Sequence, residues 1–475
     1  MPESGGRTEG IRQQLAKCPS GIRGLDEITH GGLPRGRPTL VCGGPGCGKT
    51  MMAMEFLVRG ATDYDEPGVF MSFEEGTAEL SQNMASLGFD LPALQEKQKI
   101  VLDFVYIEPS EIEETGEYNL EGLFVRLAHA VDAIGAQRVV LDTVEALFAG
   151  LSNKLILRSE LRRLLRWLKD RDLTAIITGE KGDGSPTRFG IEEYVSDAVI
   201  VLDHRILEQA ATRRLRFIKY RGSLHGADEY PFLIDENGIS IMPITSLALD
   251  YAVSSQRVST GLPSLDHMLS GGYYQGSSIL VSGTAGAGKS SLASYFADAA
   301  GRRGERCLYF AFEESPAQII RNLRSIGLDL EPWLEQGLLQ FHAARPTLYG
   351  LEMHLATILK LINHFKPAAI IMDPITNLSL VARNEEIKSL LMRLVDFLKN
   401  QQITTLFTNL SHPGEVEMTA SQVSSLMDTW LLWLNVERRG ERHRLLQILK
   451  SRGMAHSNQI REFTITDQGI NLVNI

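Results

Sequence analysis

Two short runs, GGPGCGKT from Gly43 to Thr50 and GTAGAGKS from Gly283 to Ser290, each close a glycine-rich turn on a lysine and a hydroxyl residue. Both fit G-x-x-x-x-G-K-[ST], and each follows a run that reads as a strand and opens one that reads as a helix. Gly43, Gly46 and Gly48, like Gly283, Gly286 and Gly288, let backbone N–H groups close around phosphate oxygens where side chains would collide. The helix start adds positive potential. Lys49 and Lys289 are expected to reach the β- and γ-phosphates, and Thr50 and Ser290 to ligate Mg²⁺. Two matches in the right context read as two nucleoside triphosphate sites.

Further residues supply the remaining chemistry. Asp142 and Asp373 end the apolar runs RVVLD and AIIMD, where a Walker-B carboxylate organises Mg²⁺, although aspartate is also a common turn residue. The pairs Glu74–Glu75 and Glu313–Glu314 each close a short strand after the cradle helix. A carboxylate there can orient and deprotonate the water or hydroxyl that attacks the γ-phosphate. A solvated acidic strand end is the plainer reading, and recurrence in both halves counts against it. The element K-x-R-G-x-x-H also occurs twice, as Lys219, Arg221 and His225 and as Lys450, Arg452 and His456. So far from their own cradles in sequence, these residues are expected to contact a neighbour's γ-phosphate, with ATP between subunits of a ring. The alternative is a solvated basic strand.

The elements that must position these groups are themselves duplicated. SGIRGLDEITHGGLPRG parallels TGLPSLDHMLSGGYYQG, FMSFEEGTAEL parallels FAFEESPAQII, and RVVLDTVEALF parallels AIIMDPITNLS. Toward the end of each half the offset is constant, matching Asp197 to Asp428, Lys219 to Lys450 and His225 to His456. This is an internal duplication with domain-sized copies. RPTLVCGG, GVFMSF, RVVLDTV and LTAIITG read as buried strands, and SELRRLLRWLKDR as an amphipathic helix. Strand–helix alternation gives an α/β class, each half a mostly parallel sheet flanked by helices. The expected boundaries are a leading segment 1–17, a first domain 18–250 and a second domain 251–475.

Composition sets outer limits. A length of 475 residues favours two domains, and 43% hydrophobic with 22% charged residues is an ordinary globular balance. A formal charge of −10 argues against broad nucleic-acid binding. The scattered Cys18, Cys42, Cys47 and Cys307 lack metal-ligand spacing and suit a reducing compartment. With no secretory start and no run approaching the roughly 20 apolar residues of a membrane span, a cytoplasmic protein without a membrane partner is expected.

Taken together, these motifs resemble the KaiC family of circadian-clock ATPases and autokinases, members of the RecA-like superfamily. The resemblance runs from about Cys18 to Ile475 and rests most specifically on the doubled FEE and K-x-R-G elements, with EEYVSDAVIVL and MDTWLLWL beside them. It implies two tandem RecA-like P-loop domains in a homohexamer, with ATP and Mg²⁺ as cofactors. The first domain would be a slow ATPase and the second an autokinase and phosphatase. Glu74, Glu75, Glu313 and Glu314 would be catalytic, and the family's adjacent phospho-acceptors fall on Ser424 and Ser425, with Thr419 nearby. Shifted by the constant offset, Ser424 and Ser425 match Glu193 and Tyr194, so the first half lacks aliphatic acceptors there. The family pattern is serine then threonine, and two serines put an ordered phosphorylation cycle in doubt. In the first cradle, Pro45 and Cys47 depart from the family's Thr/Ser-rich loop without altering the lysine chemistry.

The sequence stops at QGINLVNI, where clock-type members continue into a tail bound by the activator KaiA. KaiA-type stimulation is therefore not expected, whereas a KaiB-like or other signalling partner protein is. The second domain is expected to stand in a kinase-favouring state. Two other readings stay open: an ATP-assembled hexameric scaffold with little kinase activity, and a DNA-dependent RecA-like ATPase.

Overall fold

Every residue of the cradle strands Pro38–Gly43 and Ser278–Gly283 is buried. Strands apolar on both faces need cover on both sides, and so take a central place in a sheet. The computed structural model describes residues 15–106, 120–148, 154–182, 196–207, 210–226, 228–241, 253–348, 350–380, 384–411, 423–438 and 440–473. Residues 15–206 and 212–241 belong to one compact unit, and those from 253 onward to a second. Thr419, Glu193 and Tyr194 lie outside the described residues.

Each unit contains a nine-stranded sheet. In the first, the order is Gly238–Ile241, Tyr230–Asp235, Ala210–Tyr220, Ala198–Leu207, Pro38–Gly43, Thr174–Glu180, Arg138–Asp142, Gly68–Ser72 and Ile100–Phe104. Neighbours from Ala198–Leu207 to Ile100–Phe104 are parallel. The second unit repeats the order with Gly469–Val473, Arg461–Thr466, Glu441–Ser451, Thr429–Arg438, Ser278–Gly283, Thr404–Leu410, Ala369–Asp373, Cys307–Ala311 and Leu339–Ala343. Its strands from Glu441 on pair antiparallel.

The antiparallel wing follows from pattern. Buried Leu215 and Phe217 alternate with exposed Arg216 and Ile218, as in a strand with one solvated face. The parallel half is instead covered on both sides. Helix Lys49–Asp63 lies on one face and contributes Met52, Met54 and Phe56 to the core. Helix Lys154–Asp170 contributes Leu161, Leu164, Leu165 and Leu168 to the other, with Arg162 and Arg166 outward. All four cysteines are buried and free. No described helix is long and apolar enough to cross a membrane.

Candidate active sites

Each cradle turns directly into a helix whose first residue is its lysine: Lys49–Asp63 in one unit and Lys289–Arg302 in the other. Gly48 and Gly288 cap these helices in the left-handed region, at φ 103° and 100°. A side chain there would be strained, and its Cβ would lie 2.8 Å from Ile234 Cδ1 or Ile465 Cδ1. The first intrahelical bonds are Met52 N–H to the Gly48 carbonyl at 3.0 Å and Leu292 N–H to the Gly288 carbonyl at 3.1 Å. The first-turn N–H groups therefore have no intrahelical acceptor and suit an anion.

Lys49 Nζ donates to the Gly43 and Gly44 carbonyls at 2.9 and 3.3 Å, and Lys289 Nζ to those of Gly283 and Thr284 at 2.9 and 2.8 Å. Both ammonium groups thus curl over the mouth of their own loop. Burial depresses the Lys289 pKa, against the pull of Asp373 and Glu313. A cleft of about 290 Å³ lies over the second cradle, walled by Lys289, Ser290, Ser294, Glu314 and Asn322 among others.

Asp142 and Asp373 close their strands beside the cradles, both buried, and both precede a cis peptide bond. Asp142 accepts from the Thr178 hydroxyl, and Thr408 donates to Asp373 in the same way. Burial pushes the Asp142 carboxyl above its usual range, while Thr178 and Thr50 hold it down and Glu74 pushes it up. Thr50, Glu74, Lys49 and Asp142 therefore share one electrostatic neighbourhood. Thr178 and Thr408 were missed in the sequence, although the aligned runs AIITGE and TLFTNL carry a threonine at matching places.

The acidic pairs sit in the turns after Gly68–Ser72 and Cys307–Ala311. Glu74, Glu313 and Glu314 are exposed and Glu75 half-buried. Glu75 accepts from Asn83 Nδ2 at 2.7 Å, and burial followed by the nearby Glu79 raises its pKa. Among the described residues no three His, Cys, Asp or Glu side chains cluster so as to hold a metal unaided. A buried carboxylate beside a cradle hydroxyl does suit Mg²⁺, which is commonly bound through one or two carboxylates plus substrate phosphates.

The K-x-R-G-x-x-H elements lie elsewhere. Arg221 N–H bonds the Asp197 carbonyl at 2.9 Å, and Asp197 N–H the Pro38 carbonyl at 3.2 Å, which fixes Arg221 at the start of the cradle strand. In the second unit Arg452 N–H bonds the Asp428 carbonyl at 2.8 Å and Asp428 N–H the Ser278 carbonyl at 2.9 Å. The loops leave from the far ends of these strands, Gly43 and Gly283. At about 3.3 Å per residue that end is roughly 17 Å away, so the backbone of each element stands at the opposite edge from its own cradle. His225 stacks beside Tyr220, ring centroids 6.3 Å apart, and His456 Nδ1 lies 3.3 Å from the Ser457 carbonyl.

Lys450 Nζ donates to the Ser424 carbonyl at 2.7 Å and Arg452 Nη2 to the Ser425 carbonyl at 2.8 Å. Burial, then the adjacent Arg452, lowers the Lys450 pKa. Ser424 is buried and Ser425 exposed. Beside this turn a cleft of about 430 Å³ is lined by Tyr274, Lys399, Asp428 and Arg452 among others, with Lys399 Nζ 2.9 Å from Asp428 Oδ1. This cleft thus lies at the strand starts, away from the cradle.

A family model described as "ATPase: KaiC" matches residues 18–246 and again 258–475. Among similar proteins, "Circadian clock protein KaiC2" of Synechocystis sp. is 57% identical over 464 residues, covering 97% of this chain and 82% of its own. "Circadian clock oscillator protein KaiC" of Synechococcus elongatus is 39% identical over 461 residues, covering 96% of this chain and 89% of its own. The protein of that name from Prochlorococcus marinus is 37% identical over 460 residues, covering 96% and 92%.

Proposed function

Because this chain belongs to the KaiC ATPase family and so binds ATP, we propose that its two sites divide the labour, the first hydrolysing ATP with water and the second also transferring phosphate to Ser425 and Ser424. The observation that carries this reading is the grip of Lys450 and Arg452 on the carbonyls of Ser424 and Ser425, 2.7 and 2.8 Å away. The element stands at the opposite edge of the sheet from its own cradle. If it meets a neighbour's γ-phosphate, the serine turn it holds arrives with it. This geometry favours a closed ring of copies, a homohexamer by family, with ATP between subunits.

Within each site the chain's own residues have separable roles. Lys49 or Lys289 neutralises phosphate charge, and first-turn N–H groups cradle its oxygens. Asp142 with Thr50, and Asp373 with Ser290, would hold Mg²⁺, which supplies charge neutralisation across the β- and γ-phosphates. Glu74 or Glu75 takes the proton of the attacking water. Glu313 or Glu314 takes the proton of the serine hydroxyl as its oxygen bonds to phosphorus and ADP leaves. The phosphorylation state would then signal to a KaiB-like partner in the cytoplasm.

The test is intact and peptide mass spectrometry of the full chain after incubation with Mg-ATP, beside a Glu313→Gln/Glu314→Gln control. Phosphate should appear on the exposed Ser425 before the buried Ser424 and be absent from the control. ATP hydrolysis with no phosphate on either serine would reduce the second unit to a nucleotide-binding scaffold.

A further inference from the structure

The two units build their buried carboxylate sites on the same strands and surround them differently. Tyr309 is fully buried and donates its hydroxyl to Asp373 Oδ2 at 2.6 Å, while Thr408 donates to Oδ1. Each carboxylate oxygen therefore carries a protein donor. The sheet register explains the reach. Ala311 pairs with Asp373 and Tyr309 with Ile371, so Tyr309 shares the sheet face of Asp373, one pleat repeat back. Ser294 touches the Tyr309 hydroxyl from helix Lys289–Arg302, and its own hydroxyl donates to the Ser290 carbonyl at 2.8 Å. A continuous polar line thus links the cradle's hydroxyl residue to the strand-end carboxylate.

In the first unit the same register pairs Ser72 with Asp142 and Phe70 with Val140. Phe70 stands where the second unit has Tyr309, and Met54 follows its cradle lysine as Ser294 follows Lys289. Both Phe70 and Met54 are fully buried in one apolar cluster, and neither can donate a hydrogen bond. The exchange is therefore paired: Met with Phe in one unit, Ser with Tyr in the other. A buried tyrosine hydroxyl needs an acceptor, and here that acceptor is the carboxylate.

We infer that Tyr309 is a positioning residue of the second site, holding the Asp373 carboxylate in the orientation from which it orders the divalent cation that accompanies ATP. The inference rests on Asp373 being the metal-organising carboxylate of the proposed function. Donors on both oxygens define the plane of the carboxylate and stop its rotation. Each oxygen keeps a further lone pair for the cation or its water. Outer-shell partners of this kind are typically worth about 10–100-fold in metal affinity.

The experiment is Mn²⁺ titration of the full chain, followed by electron paramagnetic resonance, with a slowly hydrolysed ATP analogue present. The proteins are wild type, Tyr309→Phe, and Met54→Ser/Phe70→Tyr. Wild type should bind one Mn²⁺ per cradle. Tyr309→Phe should weaken one of the two by about tenfold with metal-free nucleotide affinity in EDTA unchanged, and Met54→Ser/Phe70→Tyr should tighten the other. Two unaltered affinities in Tyr309→Phe would overturn the positioning role and leave the metal reading intact. Fewer than two Mn²⁺ per chain in wild type would overturn the metal reading and this inference together. Loss of metal-free nucleotide binding in Tyr309→Phe would assign the residue to packing and also overturn the inference. Because Phe70 occupies the matching place in the first unit, a phenylalanine at 309 is expected to fold.

Discussion

At two places the first unit buries an arginine or a carboxyl where the second has an alanine or a tyrosine. Arg138 is fully buried, pairs with Glu66 at 2.6 Å and donates to the Phe56 and Pro19 carbonyls. The sheet register places Ala369 at the matching position, and Glu305, the counterpart of Glu66, pairs with Arg303 near the surface. Likewise Glu55, 1% exposed, accepts from Ile239 N–H at 2.6 Å, whereas its counterpart Tyr295 accepts from Ile470 N–H at 3.3 Å. One chain path is thus compatible with charged or neutral fastening. The difference lies in how stability responds to pH and to the loss of a partner. At the sites the units differ in their donors: Tyr309 and Thr408 hold Asp373, whereas Thr178 and Thr50 hold Asp142, and the pair of serines lies beside the second unit's basic element.

The largest expected effect tests the functional half of this comparison. Glu313→Gln/Glu314→Gln should lower serine phosphorylation by about 10²–10⁴-fold, as expected for a lost general base, and spare hydrolysis in the first unit. Glu74→Gln/Glu75→Gln should do the converse. Phosphate release and peptide mass spectrometry on both variants would collapse the comparison if either double change silenced both reactions.

Next in size is Arg138→Ala, which removes the buried partner of Glu66, leaves it only the half-exposed Arg35 at 2.9 Å, and should cost the first unit about 3 kcal/mol. Calorimetry should show one transition lowered and the other unmoved. A shift of both would mean that the units unfold together.

Glu55 sharpens the comparison through pH. Burial raises its pKa from 4.5 to about 7. A raised carboxyl pKa means that the folded state holds the proton more tightly than the unfolded chain. Its stability contribution is therefore full below pH 4.5 and is lost as pH rises from there to about 7. Glu55→Gln should match wild type near pH 5 and exceed it by about 2 kcal/mol at pH 8. Tyr295→Phe in the second unit should leave the pH profile unchanged. Urea denaturation at both pH values measures each.

The smallest effect concerns a helix start. Ser315 and Gln318 form a reciprocal cap on Pro316–Arg324, whereas Thr77–Ala85 starts at Gly76 with no side-chain cap. Ser315→Ala should cost about 1 kcal/mol and Gly76→Ser gain a few tenths. The space around Gly76 is open to a side chain. Thermal melts of the two variants should therefore move in opposite directions.

The sequence by itself determined the parts whose chemistry is local. A glycine-rich turn between a strand and a helix declares its own geometry, and flat apolar runs such as RVVLD declare strands covered on both faces. The duplication was legible because one offset carries Asp197, Lys219 and His225 onto Asp428, Lys450 and His456. Tertiary structure alone decided the contacts between residues far apart in the chain. Nothing local announces that Tyr309 reaches Asp373, because that contact depends on the register of two strands with three α-helices and another strand between them in sequence. Nor does sequence distance reveal that Lys450 and Arg452 grip the turn at Ser424 and Ser425 from the edge opposite their own cradle. A side chain's type and spacing fix what it can do, and the pairing of strands fixes what it can touch.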